Sequence, residues 1–292
     1  MTTINDLTFG IEIETVKRTR EQVATTIQTV VGGTILHLGG HYDAWAVFDG
    51  QGREWKVVSD SSLTLVDKMY QSEVVSPILT YADLPQLQEV ARALYNTGSR
   101  IDRTCGIHVH VGAQNATVKG LVNLTKLVYK QENLMFEAMG VDAVRKEKYC
   151  QPVSSELIAK LERTKPKSRE DLNRVWYGHY NPSPEHYDTS RYHGFNMHNV
   201  FFRNTIEFRY FNSTLHAGRI KAYVQFCLCL FAKAMNANSA SAKQTALTES
   251  AKYDFRVFLL KLGMIGDEYK TARLHLTQRL AGSSSRKYHR AA

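Results

Sequence analysis

The segment Leu7-Thr8-Phe9-Gly10-Ile11-Glu12-Ile13-Glu14-Thr15-Val16 decides the fold, because its side chains alternate strictly between apolar and polar. Successive side chains of a β-strand leave on opposite faces, so the three apolar side chains point to one face, whereas Glu12 and Glu14 point to the other. β-Branched isoleucines beside the glutamates favour a strand over a helix. Alone, this pattern is typical of a strand with one face in water.

Three later segments, residues 69–75, 105–112 and 204–211, repeat this strand-like pattern. Each is apolar on one side, as the covered face of a sheet requires, and each places acidic, imidazole or guanidinium groups on the other. A face that is merely solvated would carry a mixture of Lys, Thr, Ser and Gln instead. The polar-face residues of the four strands are Glu12, Glu14, Glu73, His108, His110, Glu207 and Arg209.

Four carboxylates on one sheet face need cations, since two like charges about 5 Å apart repel by about 1 kcal/mol even at a high effective dielectric. Mg²⁺ and Mn²⁺ take carboxylate oxygens, and imidazole suits Mn²⁺. A guanidinium on the same face adds a fixed fork for phosphate or carboxylate groups. The pattern therefore predicts a metal-dependent catalytic face for nucleotide chemistry, without the glycine-rich loop of a P-loop or Rossmann protein and without the HExxH motif of a zinc protease.

The remaining pattern predicts an α+β fold with a largely antiparallel sheet and helices on one face. The predicted strands are 7–16, 34–37, 42–48, 54–58, 69–75, 105–112, 195–200 and 204–211. The predicted helices are 20–31, 84–95, 117–139, 219–235, 253–262 and 268–280.

The chain divides into a catalytic domain over 1–236, a linker over 237–250 and a small basic helical extension over 251–281. A disordered tail is expected over 282–292. Within the catalytic domain, residues 141–190 are rich in charge, proline and turn residues, which predicts an irregular excursion over the surface or the site.

Composition is ordinary for a globular protein, with 43% hydrophobic and 22% charged residues among 292. No apolar run spans a membrane, the start of the chain does not resemble a signal peptide, and four cysteines form no CxxC pair. We therefore expect a cytoplasmic location without a membrane partner. Of the net charge of +9, +6 comes from the last fifty residues, where ten Lys and Arg face four Asp and Glu. That excess suits an anionic partner, and it also suits a solvated helical face.

The motifs along residues 7–220 resemble those of the amidoligase family, in the carboxylate–amine ligase superfamily of glutamine synthetase and glutamate–cysteine ligase. The four main motifs lie in the family's order, and two lesser ones accompany them. The main motifs are Phe9-Gly10-Ile11-Glu12-Ile13-Glu14, Glu73-Val74-Val75-Ser76-Pro77, Cys105 to Val111 and Thr205-Ile206-Glu207-Phe208-Arg209. The lesser ones are Trp45 with Asp60-Ser61-Ser62-Leu63, and Arg191-Tyr192 with Phe195-Asn196.

This resemblance implies a curved, glutamine-synthetase-like sheet whose concave acidic face binds ATP through Mg²⁺ or Mn²⁺. It implies that a substrate carboxylate is phosphorylated to an acyl phosphate, which an amine then converts into an amide. The implied metal ligands are Glu12, Glu14, Glu73, His108 and Glu207. The implied catalytic residues are Arg209, His108 and Glu207, and the implied nucleotide-binding residues are Arg209, Lys56, Arg191, Asn196 and His110.

Some of these residues have simpler interpretations. Lys56 on a hairpin is usually solvated, and Asp60 and Ser62, which are second-rank candidates for nucleotide or substrate, can serve only to shape a turn. Other functions also suit the same face: a phosphotransferase, a metal-dependent hydrolase, or a basic nucleic-acid-binding protein with a degenerate site. A ligase releases phosphate from ATP only when acid and amine are both present, a hydrolase needs no ATP, and binding to nucleic acid is sensitive to salt.

Overall fold

The computed structural model describes residues 1–287, and within them the chain forms nine β-strands and ten α-helices. The strands are β1 (Thr8–Thr15), β2 (Thr34–Gly39), β3 (Ala44–Phe48), β4 (Glu54–Val58), β5 (Ser72–Val75), β6 (Leu79–Thr80), β7 (Gly106–Gly112), β8 (Phe195–Asn196) and β9 (Thr205–Asn212). The helices are α1 (Arg20–Val31), α2 (Leu84–Asn96), α3 (Val118–Met139), α4 (Ala143–Lys148), α5 (Ser155–Thr164), α6 (Arg169–Tyr177), α7 (His198–Phe202), α8 (Ala217–Asn236), α9 (Ala251–Lys261) and α10 (Lys270–Thr277).

All nine strands belong to one sheet in the order β2-β3-β4-β5-β1-β7-β9-β8, with the short β6 paired to β1. Every strand pair is antiparallel. The predicted α+β class with an antiparallel sheet is therefore confirmed, whereas the curvature implied by the resemblance stays a prediction. The opening segment forms β1 in the middle of this sheet, between β5 and β7.

The apolar face of the sheet packs against long helices: α1 contacts β2 to β5, α8 contacts β7, and α3 contacts β9. Ile11 and Ile13 are fully buried in this core, as their position on the apolar face of β1 predicts. The opposite face is therefore left to the polar side chains. Two shorter helices, α4 and α7, place side chains at that polar face, Arg145 and Asn199 respectively.

The predicted boundaries of the long elements agree closely with the structure. Helix α1 and strand β4 match in full, and α2, α3, β7 and β9 match to within one residue at each end. The stop and start signals explain this accuracy: the Thr117 side chain accepts a hydrogen bond from the backbone of Gly120, and α3 ends at Gly140 with a left-handed φ of 59°.

The expectation of an irregular stretch over 141–190 is wrong, because α4, α5 and α6 lie in it. Each helix begins after a side chain that accepts backbone hydrogen bonds from its first turn; these side chains are Asp142, Ser154 and Ser168 respectively. Leu161 and Leu172 are buried on the inner sides of these helices. The short helices and their charged surfaces obscured this periodicity in the sequence.

Two predicted strands extend into segments that are helical in the structure. Residues 197–200 continue not as a strand but into α7, which turns the chain so that Asn199 reaches back to Glu207. Residues 68–70 form a 3₁₀ turn before β5, and the buried guanidinium of Arg20 holds that turn by donating hydrogen bonds to the carbonyls of Lys68 and Gln71.

Towards the C-terminus, residues 237–250 form no helix or strand, and α9 and α10 then pack against α3 and α8 respectively. Phe255 of α9 is fully buried against Phe226 of α8, with ring centroids 6.1 Å apart. The predicted tail over 282–292 lies partly outside the described residues, which end at 287. In the described part of the chain, no helix has the length and apolarity that a membrane span requires.

Candidate active site

The register of the sheet brings the polar-face residues together in rows. Glu12 of β1 lies opposite His108 of β7, and Glu14 lies opposite Glu73 of β5. In the next row, His110 lies opposite Glu207 of β9. Because directly paired residues of an antiparallel sheet project from the same face, these side chains converge, as the alternation of the sequence predicts.

Glu207 is the best-satisfied carboxylate of this face. Its Oε1 accepts a hydrogen bond of 2.5 Å from Nη1 of Arg209. Its Oε2 accepts from the side-chain amides of Asn196 at 2.6 Å and Asn199 at 2.8 Å. Burial raises the pKa of Glu207, but Arg209, His110 and His108 outweigh it and lower that pKa to about 2. Glu207 is therefore an ionised carboxylate with its own permanent cation.

Glu12 lies between the two histidines. Its Oε2 is 2.7 Å from Nδ1 of His108, and its Oε1 is 3.2 Å from Nε2 of His110. Burial opposes ionisation of Glu12, but both imidazoles hold its pKa well below the usual range. Burial together with Arg209 lowers the pKa of His108. Burial also disfavours the charged form of His110, yet Glu12 and Glu207 outweigh it and raise the pKa of that imidazole.

Glu14, Glu73 and Asp60 lie at the other end of the face, where cations are scarce. Oε2 of Glu14 accepts a hydrogen bond from the backbone N–H of Gly106 at 2.5 Å, and Nη1 of Arg145 is 3.9 Å away. Burial raises the pKa of Glu14 to about 8 despite the attraction of Arg145. Burial, followed by repulsion from the neighbouring carboxylates, raises the pKa of Glu73 well above its usual range. The raised pKa values of Glu14 and Glu73 favour their protonated forms, and a metal ion would displace those protons.

Three groups of side chains on this face can each hold a metal ion, because one donor atom from each member lies within 4.8 Å of the others. The groups overlap: Glu73 belongs to two of them, and so does Glu12. They are Glu14 with Asp60 and Glu73, Glu12 with Glu73 and His108, and Glu12 with His110 and Glu207. A chain of adjoining oxygen-rich groups suits two or more hard divalent cations.

The lesser candidates lie around this centre. Lys56 shares a register row with Val75 and Glu12, but its ammonium pairs with Glu54 at 3.1 Å and the side chain is exposed. Arg191 donates to the carbonyl of His186 and stacks beside Tyr187 and Tyr192.

The turn at Asp60 has a double role. Its Oδ1 accepts a hydrogen bond from the backbone N–H of Ser62 at 2.7 Å, as turn chemistry predicts, and Asp60 also joins a metal-binding group. Asn196 is fully buried, and its Oδ1 has no hydrogen-bond partner among residues 1–287.

The sequence pattern does not predict two residues of the site. The predicted strand over 195–200 includes Asn199, although its spacing of three from Asn196 suits a turn in which both amides face one partner. Arg145 lies in a charged helix whose sequence gives no sign that its guanidinium is buried beside Glu14. Only the folded chain brings it to the site.

A family model described as "Putative amidoligase enzyme" matches residues 5–231, which include every strand and all the polar-face residues. The chain belongs to the amidoligase family. This confirms the resemblance seen in the motifs. A search of curated proteins gives no match to the chain.

The amidoligase match assigns the chain to an enzyme family that is named for the formation of amide bonds. It ends within α8, before residues 237–287 of the described chain. The matched part contains all three candidate metal-binding groups, so the acidic face belongs to the amidoligase core itself.

Proposed function

We propose that this amidoligase joins a carboxylate to an amine at the expense of ATP, with Mg²⁺ or Mn²⁺ bound on the acidic face. One observation carries the proposal: three overlapping metal-binding groups on one sheet face lie next to Arg209. Phosphoryl transfer from ATP depends mainly on positioning and on neutralising charge, and it needs no nucleophilic side chain from the protein.

The donor atoms suit divalent cations. Carboxylate oxygens dominate all three groups, and the two imidazoles make Mn²⁺ as acceptable as Mg²⁺. Nε2 of His110 lies 3.2 Å from Oε1 of Glu12, in the group that these two residues form with Glu207, so that the imidazole and the carboxylate can share one metal ion. A bound cation would neutralise phosphate oxygens of ATP together with the crowded carboxylates.

The proposed reaction has two steps. An oxygen of the substrate carboxylate attacks the γ-phosphorus of ATP, the bond to the bridging oxygen breaks, and ADP leaves. The nitrogen of the amine then attacks the acyl carbon, inorganic phosphate leaves, and the nitrogen loses a proton.

Arg209 supports the first step. Its Nη1 is held by Glu207 and its Nε donates to the carbonyl of Tyr149, which leaves Nη2 without a hydrogen bond in the described chain. That free corner of the guanidinium can donate to the transferring phosphoryl group. His108 contacts a metal or the γ-phosphate, and Glu207 keeps Arg209 in place. Asn196, His110, Lys56 and Arg191 are candidate contacts of the nucleotide or the acid substrate.

The test is phosphate release from ATP in the presence of Mg²⁺ and pools of carboxylic acids and amines, with products identified by mass spectrometry. We expect release only when acid and amine are both supplied. With ¹⁸O in the substrate carboxylate, we expect one ¹⁸O atom in each phosphate released. Glu14→Ala and Glu207→Ala should abolish turnover, whereas Glu137→Ala, at an exposed position of α3, should not.

The alternatives give different results. A phosphotransferase gives a phosphorylated product without an amine, and a hydrolase acts without ATP. A nucleic-acid-binding protein with a degenerate site shows no turnover, and its binding to nucleic acid is unaffected by Glu14→Ala but weakened by salt. Phosphate without ¹⁸O, or full activity of Glu14→Ala, would contradict the proposed ligase.

A further inference from the structure

Strand β9 contains a bulge next to the acidic face. Ile107 and Val109 of β7 lie two residues apart, but their partners on β9, Phe211 and Phe208, lie three apart. One extra residue therefore sits in β9, within the pair Arg209–Tyr210. Bulges bend a strand and redirect its side chains, and they are common beside active sites. The direction of the Arg209 side chain thus depends on what holds the bulge.

The segment from α4 to Cys150 holds the bulge at three points. Nη2 of Arg145 donates to the carbonyl oxygen of Arg209 at 3.3 Å, and the thiol of Cys150 donates to the same oxygen at 3.5 Å. In return, Nε of Arg209 donates to the carbonyl of Tyr149 at 3.1 Å. Both the backbone and the guanidinium of Arg209 are therefore fixed from one side by a single short segment.

Arg145 also reaches β1 and β7. Its side chain is only 5% exposed, and its Nη1 lies 3.9 Å from Oε2 of Glu14. The guanidinium occupies the space beside the α-carbon of Gly106, so that a Cβ at this position would overlap Arg145. Arg145 thus touches the three strands that carry Glu14, Gly106 and Arg209. A glycine at position 106 is what leaves room for it.

We propose that Arg145 is a positioning residue, which fixes the β9 bulge so that the guanidinium of Arg209 faces the phosphoryl site. The inference rests on the proposed function, because the phosphoryl contact of Arg209 belongs to that proposal. Arg145 is assigned a role through Arg209 and not through the metal ligands. Misplacing such a group by about 1 Å can reduce catalysis by about 100-fold. Removing Arg145 also removes a positive charge beside Glu14, which cannot weaken the electrostatic attraction of the acidic face for a cation.

This proposal predicts that loss of Arg145 weakens nucleotide binding without weakening metal binding. The experiment measures by calorimetry the Kd of Mn²⁺ alone, and of the non-hydrolysable ATP analogue AMP-PNP at saturating Mn²⁺. In Arg145→Met we expect AMP-PNP to bind about tenfold more weakly, while Mn²⁺ binds as tightly as in the unchanged protein or more tightly. Arg145→Lys, which keeps the charge but replaces the planar fork of donors with one compact ammonium group, should recover part of the loss. Arg163→Met, at an exposed position of α5, is the matched control.

A double-mutant cycle tests whether Arg145 acts through Arg209. In an Arg209→Lys background, Arg145→Met should weaken AMP-PNP binding by less than about threefold, because the group that it positions is already gone. Gly106→Ala disturbs the same guanidinium without altering a charged side chain, and it should reproduce the weaker AMP-PNP binding. This variant and Arg145→Lys decide the matter if Arg145→Met does not fold, as judged by thermal unfolding.

Three results would overturn the inference. The first is unchanged AMP-PNP affinity in a folded Arg145 or Gly106 variant, and the second is an equal loss of Mn²⁺ and AMP-PNP affinity. The third is a double variant whose loss of AMP-PNP affinity equals the product of the losses caused by Arg145→Met and Arg209→Lys alone. Failure of the unchanged protein to bind AMP-PNP with Mn²⁺ would instead overturn the proposed function, and this inference with it. The two failures are thereby distinguishable.

Discussion

Glu207 and Glu14 lie on the same sheet face, yet they differ in the charged and polar groups that contact them. Glu207 has a guanidinium at 2.5 Å and two amide donors, whereas the nearest cation to Glu14 is the guanidinium of Arg145, at 3.9 Å. We call the region of Glu207 and Arg209 the paired end, and the region of Glu14, Asp60 and Glu73 the unpaired end. Glu207 has a lowered pKa, whereas Glu14 and Glu73 have raised ones.

The difference indicates where an external cation is needed. At the paired end the protein supplies its own charge, which can stay in place through a reaction. At the unpaired end the raised pKa values of Glu14 and Glu73 favour their protonated forms near neutral pH, and a divalent cation would replace those protons. A fixed Arg209 beside an exchangeable metal is the combination that the proposed phosphoryl transfer requires.

The largest effect on stability is expected at the paired end. Arg209→Met leaves Glu207 buried without its cation, so the free energy of unfolding should fall by about 3–5 kcal/mol in urea denaturation. Glu73→Gln at the unpaired end resembles the protonated carboxyl group that its raised pKa favours, and should not lower stability in metal-free buffer. Equal destabilisation by the two variants would contradict the distinction between the ends.

Stabilisation by Mn²⁺ should depend on the unpaired end. A ligand at 100 times its Kd stabilises the folded state by about 2.7 kcal/mol, which raises the unfolding midpoint. We expect Glu73→Gln to lose most of this gain, because Glu73 belongs to two of the three metal-binding groups. Glu137→Gln serves as the control. If Glu73→Gln kept the full Mn²⁺ response, the metal would have to bind elsewhere.

The pH dependence should also come from the unpaired end. The pKa of Glu14 is about 8 in the folded protein and about 4.3 in an unfolded chain, so the folded state holds a proton that the unfolded state releases. In EDTA, the contribution of Glu14 to the free energy of unfolding should therefore be complete below about pH 4.3. As the pH rises from there towards 8, the free energy of unfolding should fall by about 1 kcal/mol per pH unit. Urea denaturation at pH 6, 7 and 8 measures this slope, and Glu14→Gln should flatten it. An unchanged slope would show that Glu14 is not the group responsible.

The smallest effect is expected at Lys56. Its ammonium is paired with Glu54 at the surface, and an exposed ion pair contributes about 0.2–1 kcal/mol. Lys56→Met should therefore change stability and Mn²⁺ affinity only slightly. A tenfold rise in Mn²⁺ affinity would mean that Lys56 already neutralises the unpaired end, and the two ends would then differ less in charge compensation than we infer.

The sequence predicted the polar face well because strand alternation is a local property. Once β1 was recognised, the facing of Glu12 and Glu14 followed, and the same reasoning placed His108, His110 and Glu207. The ends of long helices were equally readable from residues such as Thr117 and Gly140.

The contacts that short helices make could not be predicted from such local sequence patterns. The burial of Arg145 depends on α4 folding against strands that lie far away in the sequence, and Asn199 faces Glu207 only because α7 turns back after two residues of strand. Charge compensation is likewise a property of the folded chain. The spacing of Glu14 and Glu207 gives no indication that only one of them has a bonded guanidinium.

Anomalous diffraction from crystals soaked in Mn²⁺ at pH 7.5 tests the central claim most directly. The claim is that the external cation binds where the chain supplies no bonded cation of its own. We expect an anomalous peak within bonding distance of Glu14, Asp60 and Glu73, and its loss in Glu73→Gln with Arg209 and Glu207 unmoved. A Mn²⁺ ion found only away from Glu14, Asp60 and Glu73, or no peak at saturating Mn²⁺, would contradict the account.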